Sequence, residues 1–344
     1  MKKNLLVVLT LFCLSVGIVY AAGGSGPVTV PANSLDNLKP VTIILAHGST
    51  PQETSTIYLE KWMTEVEAIS GGKIKFKYYP SSQLGSLVEL IDALETGTIN
   101  MSKGDPSLMT SYLPEFGVLN FPFIIKDYAH AERVINSDVG KELSEKMAQK
   151  NNTLILAWHV NGFRNFCTKK PIRNVADCKN ILLRSPEADV YMNTFKYLNM
   201  KPTPIPYGEM YTALQTGVVD GIETVPSIIY TGEYYKLAKY VCKSNHMISL
   251  NCVTVNKNFW AQLPQAYRDI IIQTLNKNQS EEFAEVKKSD DSYYALIQKG
   301  GGTITEWDNY QELVSLFTPF WSQMAAKIGG NAQKYIDKIK ALNN

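Results

Sequence analysis

The chain has 344 residues, with 34 Lys and Arg against 32 Asp and Glu and 45% hydrophobic residues. Lys2 and Lys3 belong to a leader-like segment, and without them 34 less 2 leaves 32 basic against 32 acidic residues. A formally neutral protein has no basic field to hold nucleic acid or an anionic membrane surface, so neither is an expected partner.

Residues 1–22 read as a secretory signal peptide: two lysines, an apolar run too short for a membrane span, then Ala21 and Ala22. A lipoprotein leader is the weaker alternative, because Phe12 precedes Cys13. Residues 23–39, rich in Gly, Pro and Ser, read as a flexible tether. About 320 residues remain, more than one core usually organises, so two lobes are expected.

The run VTIILAHG (41–48) predicts a buried strand, and 49–72 a helix with Ile57, Trp62 and Val66 at helical spacing and a glycine stop. KIKFKYYP (73–80) alternates as a strand, 89–97 is helical, and INMSKG (99–104) is a short strand. This β-α-β-α-β order implies a sheet with helices on its faces. The order recurs: a helix at 139–150, strands at 153–160 and 181–186, and a helix at 188–199. From 263 to 299 no Gly or Pro follows Pro264, which predicts one helix of about 50 Å, long enough to cross both lobes. The C terminus is helical.

Two segments are near copies. ELIDALETGTIN (89–100) and EMYTALQTGVVD (209–220) share E-x-x-x-A-L-x-T-G-x-[IV]-[ND]. Each reads as a helix end, a left-handed glycine and a strand that begins at once. The chain following each strand, with Asp105 in one case and Glu223 and Thr224 in the other, would then face a common cleft, where α/β sheets place ligands. A common helix-to-strand connector is the plainer reading of either copy alone.

Four cysteines follow the leader. For an exported chain we expect disulfides Cys167–Cys178 and Cys242–Cys252, each closing a short loop. Zinc is disfavoured because no C-x-x-C or H-x-x-x-H spacing occurs. No metal or other cofactor is expected. An enzyme acting on a small carboxylate is the alternative to a binding protein, but there is no G-x-S-x-G, H-E-x-x-H or P-loop, and the one S-x-x-K (70–73) sits at a turn. Arg184 closes the strand ILLR ahead of Pro186, where a guanidinium fork suits a carboxylate.

YPSSQLG (79–85), LNFPFI (119–124), NGFR (161–164), LLRSP (182–186) and ALQTGVVDGIE (213–223) resemble the extracytoplasmic solute receptors of TRAP transporters, the DctP type, over nearly all of 40–344. The resemblance implies an α/β, two-lobed periplasmic binding protein of the type II-like class, with the long helix spanning both lobes. It would close on an organic anion and deliver it to membrane permease subunits driven by an ion gradient. We place lobe I at 40–161, with about 250–285 and 318–344 returning to it, and lobe II at 162–249, with about 286–317 returning.

By the same resemblance Arg184 is the carboxylate-binding arginine, Arg164 a second arginine at a strand end, and Tyr207 an aromatic ring over the substrate. Thr224 stands where Asn is frequent. Glu187 is placed to read an amine or hydroxyl. Asp105 and His47 match cleft-facing positions. From the residues themselves, Trp158 and Phe163 would floor an apolar part of the ligand or fill the core, and His246 is a weaker candidate that orients neighbours. The expected ligand is a monocarboxylate, with uronates and aromatic acids included, and the receptor a monomer.

Overall fold

The computed structural model describes residues 34–343. The signal peptide, Cys13 and the first part of the tether lie outside the described residues. The rest of the tether is docked, with Leu35 and Leu38 packed on a core cluster and Lys73 donating to the Asp36 carbonyl.

The first half runs β1 (Val41–His47), α1 (Thr54–Ile69), β2 (Ile74–Tyr79), α2 (Leu87–Thr96), β3 (Met101–Gly104), α3 (Tyr128–Ile135) and α4 (Asp138–Lys150). β4 (Thr153–Thr168) leads to β5 (Leu182–Ser185), α5 (Asp189–Tyr197), β6 (Lys201–Pro204), α6 (Met210–Gln215), β7 (Gly221–Thr224), α7 (Pro226–Thr231) and α8 (Tyr234–Leu237). β8 (Tyr240–Asn256), α9 (Lys257–Gln262), α10 (Gln265–Lys299), β9 (Thr303–Glu306), α11 (Tyr310–Leu316), α12 (Thr318–Ile328) and α13 (Ala332–Ala341) complete it.

One sheet carries the molecule, in the order β2-β1-β3-β8-β4-β7-β5-β6, with β9 added to β8. β1 pairs in parallel with β2 and β3, and β5 pairs in parallel with β6 and β7. The two halves are therefore the same β-α-β-α-β unit, joined by the long antiparallel strands β4 and β8.

This equivalence explains the repeated segment position by position. Gly97 and Gly217 both take φ near 80°, a conformation that costs a side chain but not glycine. Thr96 and Thr216 each donate from the hydroxyl to the carbonyl four residues back. Ile99 and Val219 are buried. Asn100 and Asp220 accept the backbone N–H of Ile44 and Leu182 through their side chains, and donate their own N–H to the same residues. Only the leading glutamate differs. Glu89 completes a capping box with Ser86, whereas Glu209 makes no side-chain cap.

α10 is the predicted long helix, starting after Pro264 and stopping at Gly300. Its Tyr267, Ile270, Ile271 and Leu275 pack with β1 and α1, Phe283 and Val286 with the central cluster, and Tyr294 and Ile297 with β7 and α7. Trp62 of α1 donates its indole N–H to Thr274, fixing the helix to the first half. Ile57, expected on the buried face of α1, is 53% exposed, and Leu59 and Met63 join Trp62 and Val66 inside instead.

Neither expected disulfide is present, because all four cysteines are free and buried. Cys242 and Cys252 lie on one strand, β8. At about 3.3 Å per residue they stand about 20 Å or more apart, whereas a disulfide needs Cα atoms within about 7 Å. Cys167 packs with Ile222 and Val241, and Cys178 in a different cluster with Leu183 and Cys242. Burial raises all four thiols, Cys242 to about 12. Mass spectrometry of an unreduced digest, alkylated after unfolding, should find all four labelled, while the folded protein resists the reagent. A bridged peptide pair would contradict this packing.

Candidate functional site

A cleft partly open to solvent lies between the two βαβα units and is lined from both of them. Its first wall holds Ser49, Glu53, Leu87, Lys103, Asp105 and Leu108; its second holds Arg184, Pro186, Glu187, Tyr207, Thr224 and Ile228. β4 and β8 form the floor through Asn161, Arg164, Ser249 and Asn251. The floor is polar because β4 changes register there. Val160 pairs with Leu250 and Gly162 with Ser249, so Asn161 has no partner in the ladder and faces the cavity. Gly162, at φ 127°, makes the turn possible.

Arg184 sits next to the end of β5, as predicted, and is 3% exposed. Its Nε donates to the Ile205 carbonyl at 2.9 Å, which orients the guanidinium. Nη1 and Nη2 make no hydrogen bond among the described residues. Burial and the neighbouring Arg164 charge lower its pKa, against the attraction of Glu223. An arginine nevertheless stays charged at any working pH.

Arg164 is not at a strand end, because β4 continues to Thr168. Its fork is spent on Glu223. Nε donates to Oε2 at 2.5 Å, and Nη2 to Oε1 at 2.7 Å and to the Glu223 carbonyl at 2.9 Å. Nη1 reaches Ser249 at 3.4 Å, and the Tyr191 ring lies 4.9 Å from the guanidinium carbon. Burial alone would raise the Glu223 carboxyl, but Arg164 and His246 bring it below its usual value. Of the two arginines lining the cavity, Arg184 has both terminal nitrogens free, whereas Arg164 keeps one N–H on Nη1.

Two hydrogen bonds join the opposite walls. Tyr207 donates to Glu53 Oε1 at 2.9 Å and Tyr191 to Asp105 Oδ2 at 3.1 Å. Asp105 also accepts the Ser107 N–H, and burial raises its pKa. Thr224 closes β7 and is buried against the cavity, while Glu187 is exposed at the lip.

Four sequence candidates stand behind the lining. His47 accepts the Ser49 N–H through Nδ1 and pairs through Nε2 with the Tyr78 hydroxyl, and burial keeps the ring neutral. Trp158 meets Phe116 edge-on in the central cluster, and Phe163 packs on Tyr128. His246 stacks on Phe166 at 4.5 Å, with Nε2 3.5 Å from Glu223. It therefore supports the Arg164 counterion rather than lining the cavity.

Sequence reasoning missed Glu53, Lys103, Asn161, Ser249 and Asn251 as lining residues. The signal for the last two was alternation: polar residues at every second position of an otherwise apolar strand mark a polar cavity face.

The family model described as bacterial extracellular solute-binding protein, family 7, matches residues 45–328. The sialic acid-binding periplasmic protein SiaP of Vibrio cholerae is 27% identical over 80% of this chain and 85% of that protein. The crystal structure of the sugar acid binding protein DctPAm of Advenella mimigardefordensis, in complex with galactonate, superposes with a TM-score of 0.85 at 26% identity, covering 89% of this chain and all of that one. A TRAP periplasmic solute binding protein of Haemophilus influenzae with bound L-gulonate gives 0.82 at 25% identity, over 88% of this chain and 99% of that one. No helix among the described residues is long and apolar enough to cross a membrane. The chain belongs to family 7 of the bacterial extracellular solute-binding proteins, the two-lobed periplasmic receptors that capture small organic acids for TRAP transporters.

Proposed function

We propose that this protein is an exported receptor for a small hydroxylated monocarboxylate, a sugar acid rather than an aromatic one, which it delivers as a monomer to the permease subunits of a TRAP transporter. It binds its ligand and releases it chemically unchanged. The observation that carries the reading is Arg184: a buried, oriented guanidinium with both terminal nitrogens free at a cavity wall. One such fork grips one carboxylate through two parallel hydrogen bonds. Thr224, Asn161, Ser249 and Asn251 surround it with short polar side chains suited to hydroxyls. Trp158 and Phe163 do not line the cavity, which leaves Tyr207 alone among the three expected rings to support an aromatic acid. The galactonate and gulonate held by the two similar receptors favour the same class.

The hinge of such a receptor would lie at 161–162 and 249–250, where β4 and β8 change register between the halves. The hydrogen bonds Tyr207–Glu53 and Tyr191–Asp105 then belong to the closed form, and a ligand bridging both walls favours that form. A thermal-shift screen against an organic-acid library tests the function. Free ligand at 100 times its Kd stabilises by about 2.7 kcal/mol, so sugar acids should raise the melting temperature and neutral sugars should not. No shift with any organic acid would overturn the reading.

A further inference from the structure

We propose that Glu53 and Lys103 together read hydroxyl groups on the wall facing Arg184, so that the selected acid presents hydroxyls there. The inference rests on the receptor reading above and assigns two residues to ligand selection.

Both side chains are taken out of water, Glu53 at 3% and Lys103 at 2% exposure, and both line the cavity. Glu53 Oε1 is committed, accepting the Thr50 N–H at 2.6 Å and the Tyr207 hydroxyl at 2.9 Å. Oε2 accepts nothing among the described residues and is left as an acceptor. Lys103 donates to Ser55 at 2.5 Å and makes no ion pair among the described residues, so two of its three donors are left over. Burial lowers its pKa, while the charges of Glu53 and Glu282 raise it.

A buried acceptor and a buried donor lining the same cavity, close enough for the Glu53 charge to act on Lys103, select by elimination. A second carboxylate would accept from Lys103 but meet the Glu53 charge. A ligand amine would donate to Glu53 but meet the Lys103 charge. An alkyl chain would leave both groups dry and unpaired, a large penalty for charged atoms. A hydroxyl both donates and accepts, so ligand hydroxyls can satisfy both Oε2 and Nζ. Sites built to hydrogen-bond a hydroxyl reject the analogue lacking it far more strongly than apolar pockets reject a missing methylene.

The test is calorimetric, by direct and competition titration of the full chain with D-galactonate, L-gulonate, D-erythronate, hexanoate, butyrate and succinate. The wild type should bind one of the hydroxylated acids best, with at least about a hundredfold preference over the hydroxyl-free acid of equal chain length. In Lys103→Met and in Glu53→Gln that preference should fall at least about tenfold, since each removes one of the two partners. The ratio is internal to each variant, so a partly destabilised protein still answers. A wild type that prefers hexanoate, butyrate or succinate overturns the inference, and the sugar-acid part of the proposed function with it, while leaving an organic-acid receptor standing. So does a variant that loses all acids equally, which would mark a structural role. Binding of none of the acids by any form overturns the receptor reading itself, and this inference with it.

Discussion

Arg184→Ala should reduce affinity for the captured acid by about thirtyfold to several thousandfold, the equivalent of about 2 to 5 kcal/mol for one partner of a buried charge pair. The loss has two parts. The ligand carboxylate loses both donors, and it is then confined in a cavity where water replaces them poorly. Arg184→Lys should fail in large part too, because an ammonium is a point charge without the planar fork and cannot also hold the Ile205 carbonyl in the same geometry. Stability should change much less than binding, since the folded state loses only the single hydrogen bond to Ile205, worth about 1 kcal/mol. Calorimetry and urea unfolding on the same samples separate the two effects. Wild-type affinity in both variants would remove Arg184 from the site.

Glu223→Gln should have the opposite balance, with a large cost in stability of about 3 to 5 kcal/mol measured by urea unfolding. Glu223 is fully buried and takes two hydrogen bonds from Arg164 on its carboxylate, so the substitution strips the buried guanidinium of its hydrogen-bonded counterion and leaves only the Asp105 charge nearby. Replacing both partners, as Arg164→Met with Glu223→Leu, should recover much of the loss, because apolar pairs often replace buried ion pairs at little cost. The pair also sets a pH dependence. The folded carboxyl lies below the ordinary value of 4.5, held there mainly by Arg164 against the upward pull of burial. Its contribution is therefore fully present above about pH 4.5 and is lost as pH falls through the folded pKa. If Glu223→Gln matched the wild type in stability near neutral pH, the pair would not be holding β4 to β7.

Much of this architecture could be read before any coordinates, and the reasons are local. The helix end and the left-handed glycine of the repeated segment are short-range chemistry, and its Asn or Asp then clamps the neighbouring strand of the sheet, β1 or β5. A similar sequence therefore builds a similar unit twice. The long helix was legible because no Gly or Pro interrupts it after Pro264. Arg184 was legible because a strand followed by proline fixes where its side chain emerges.

What escaped depends on pairing across long sequence distances. β8, seventeen residues mixing Cys, Ser, Asn and His with apolar residues, is a strand because it is buried between β3 and β4. The alternation around Ser249 and Asn251 covers only a short part of it, so its periodicity did not show its full length. The same hidden strand separates Cys242 from Cys252, which the spacing alone had suggested as neighbours. Arg164 appeared to close a strand, whereas β4 runs on through a register change. Glu53 and Lys103 are 50 residues apart in sequence and far from Arg184, so only the folded cavity brings them into one site.

The central claim is that an organic acid is held between the two halves with its carboxylate on Arg184. The most direct measurement is a crystal structure of the protein with the acid that stabilises it most in the thermal screen. The carboxylate oxygens should lie about 2.7 to 2.9 Å from Arg184 Nη1 and Nη2, the spacing of charge-assisted pairs, with the rest of the molecule reaching toward Glu53 and Lys103. An acid bound outside this cavity, or one inside it whose carboxylate rests on another group while Arg184 turns to a protein acceptor, would contradict the account.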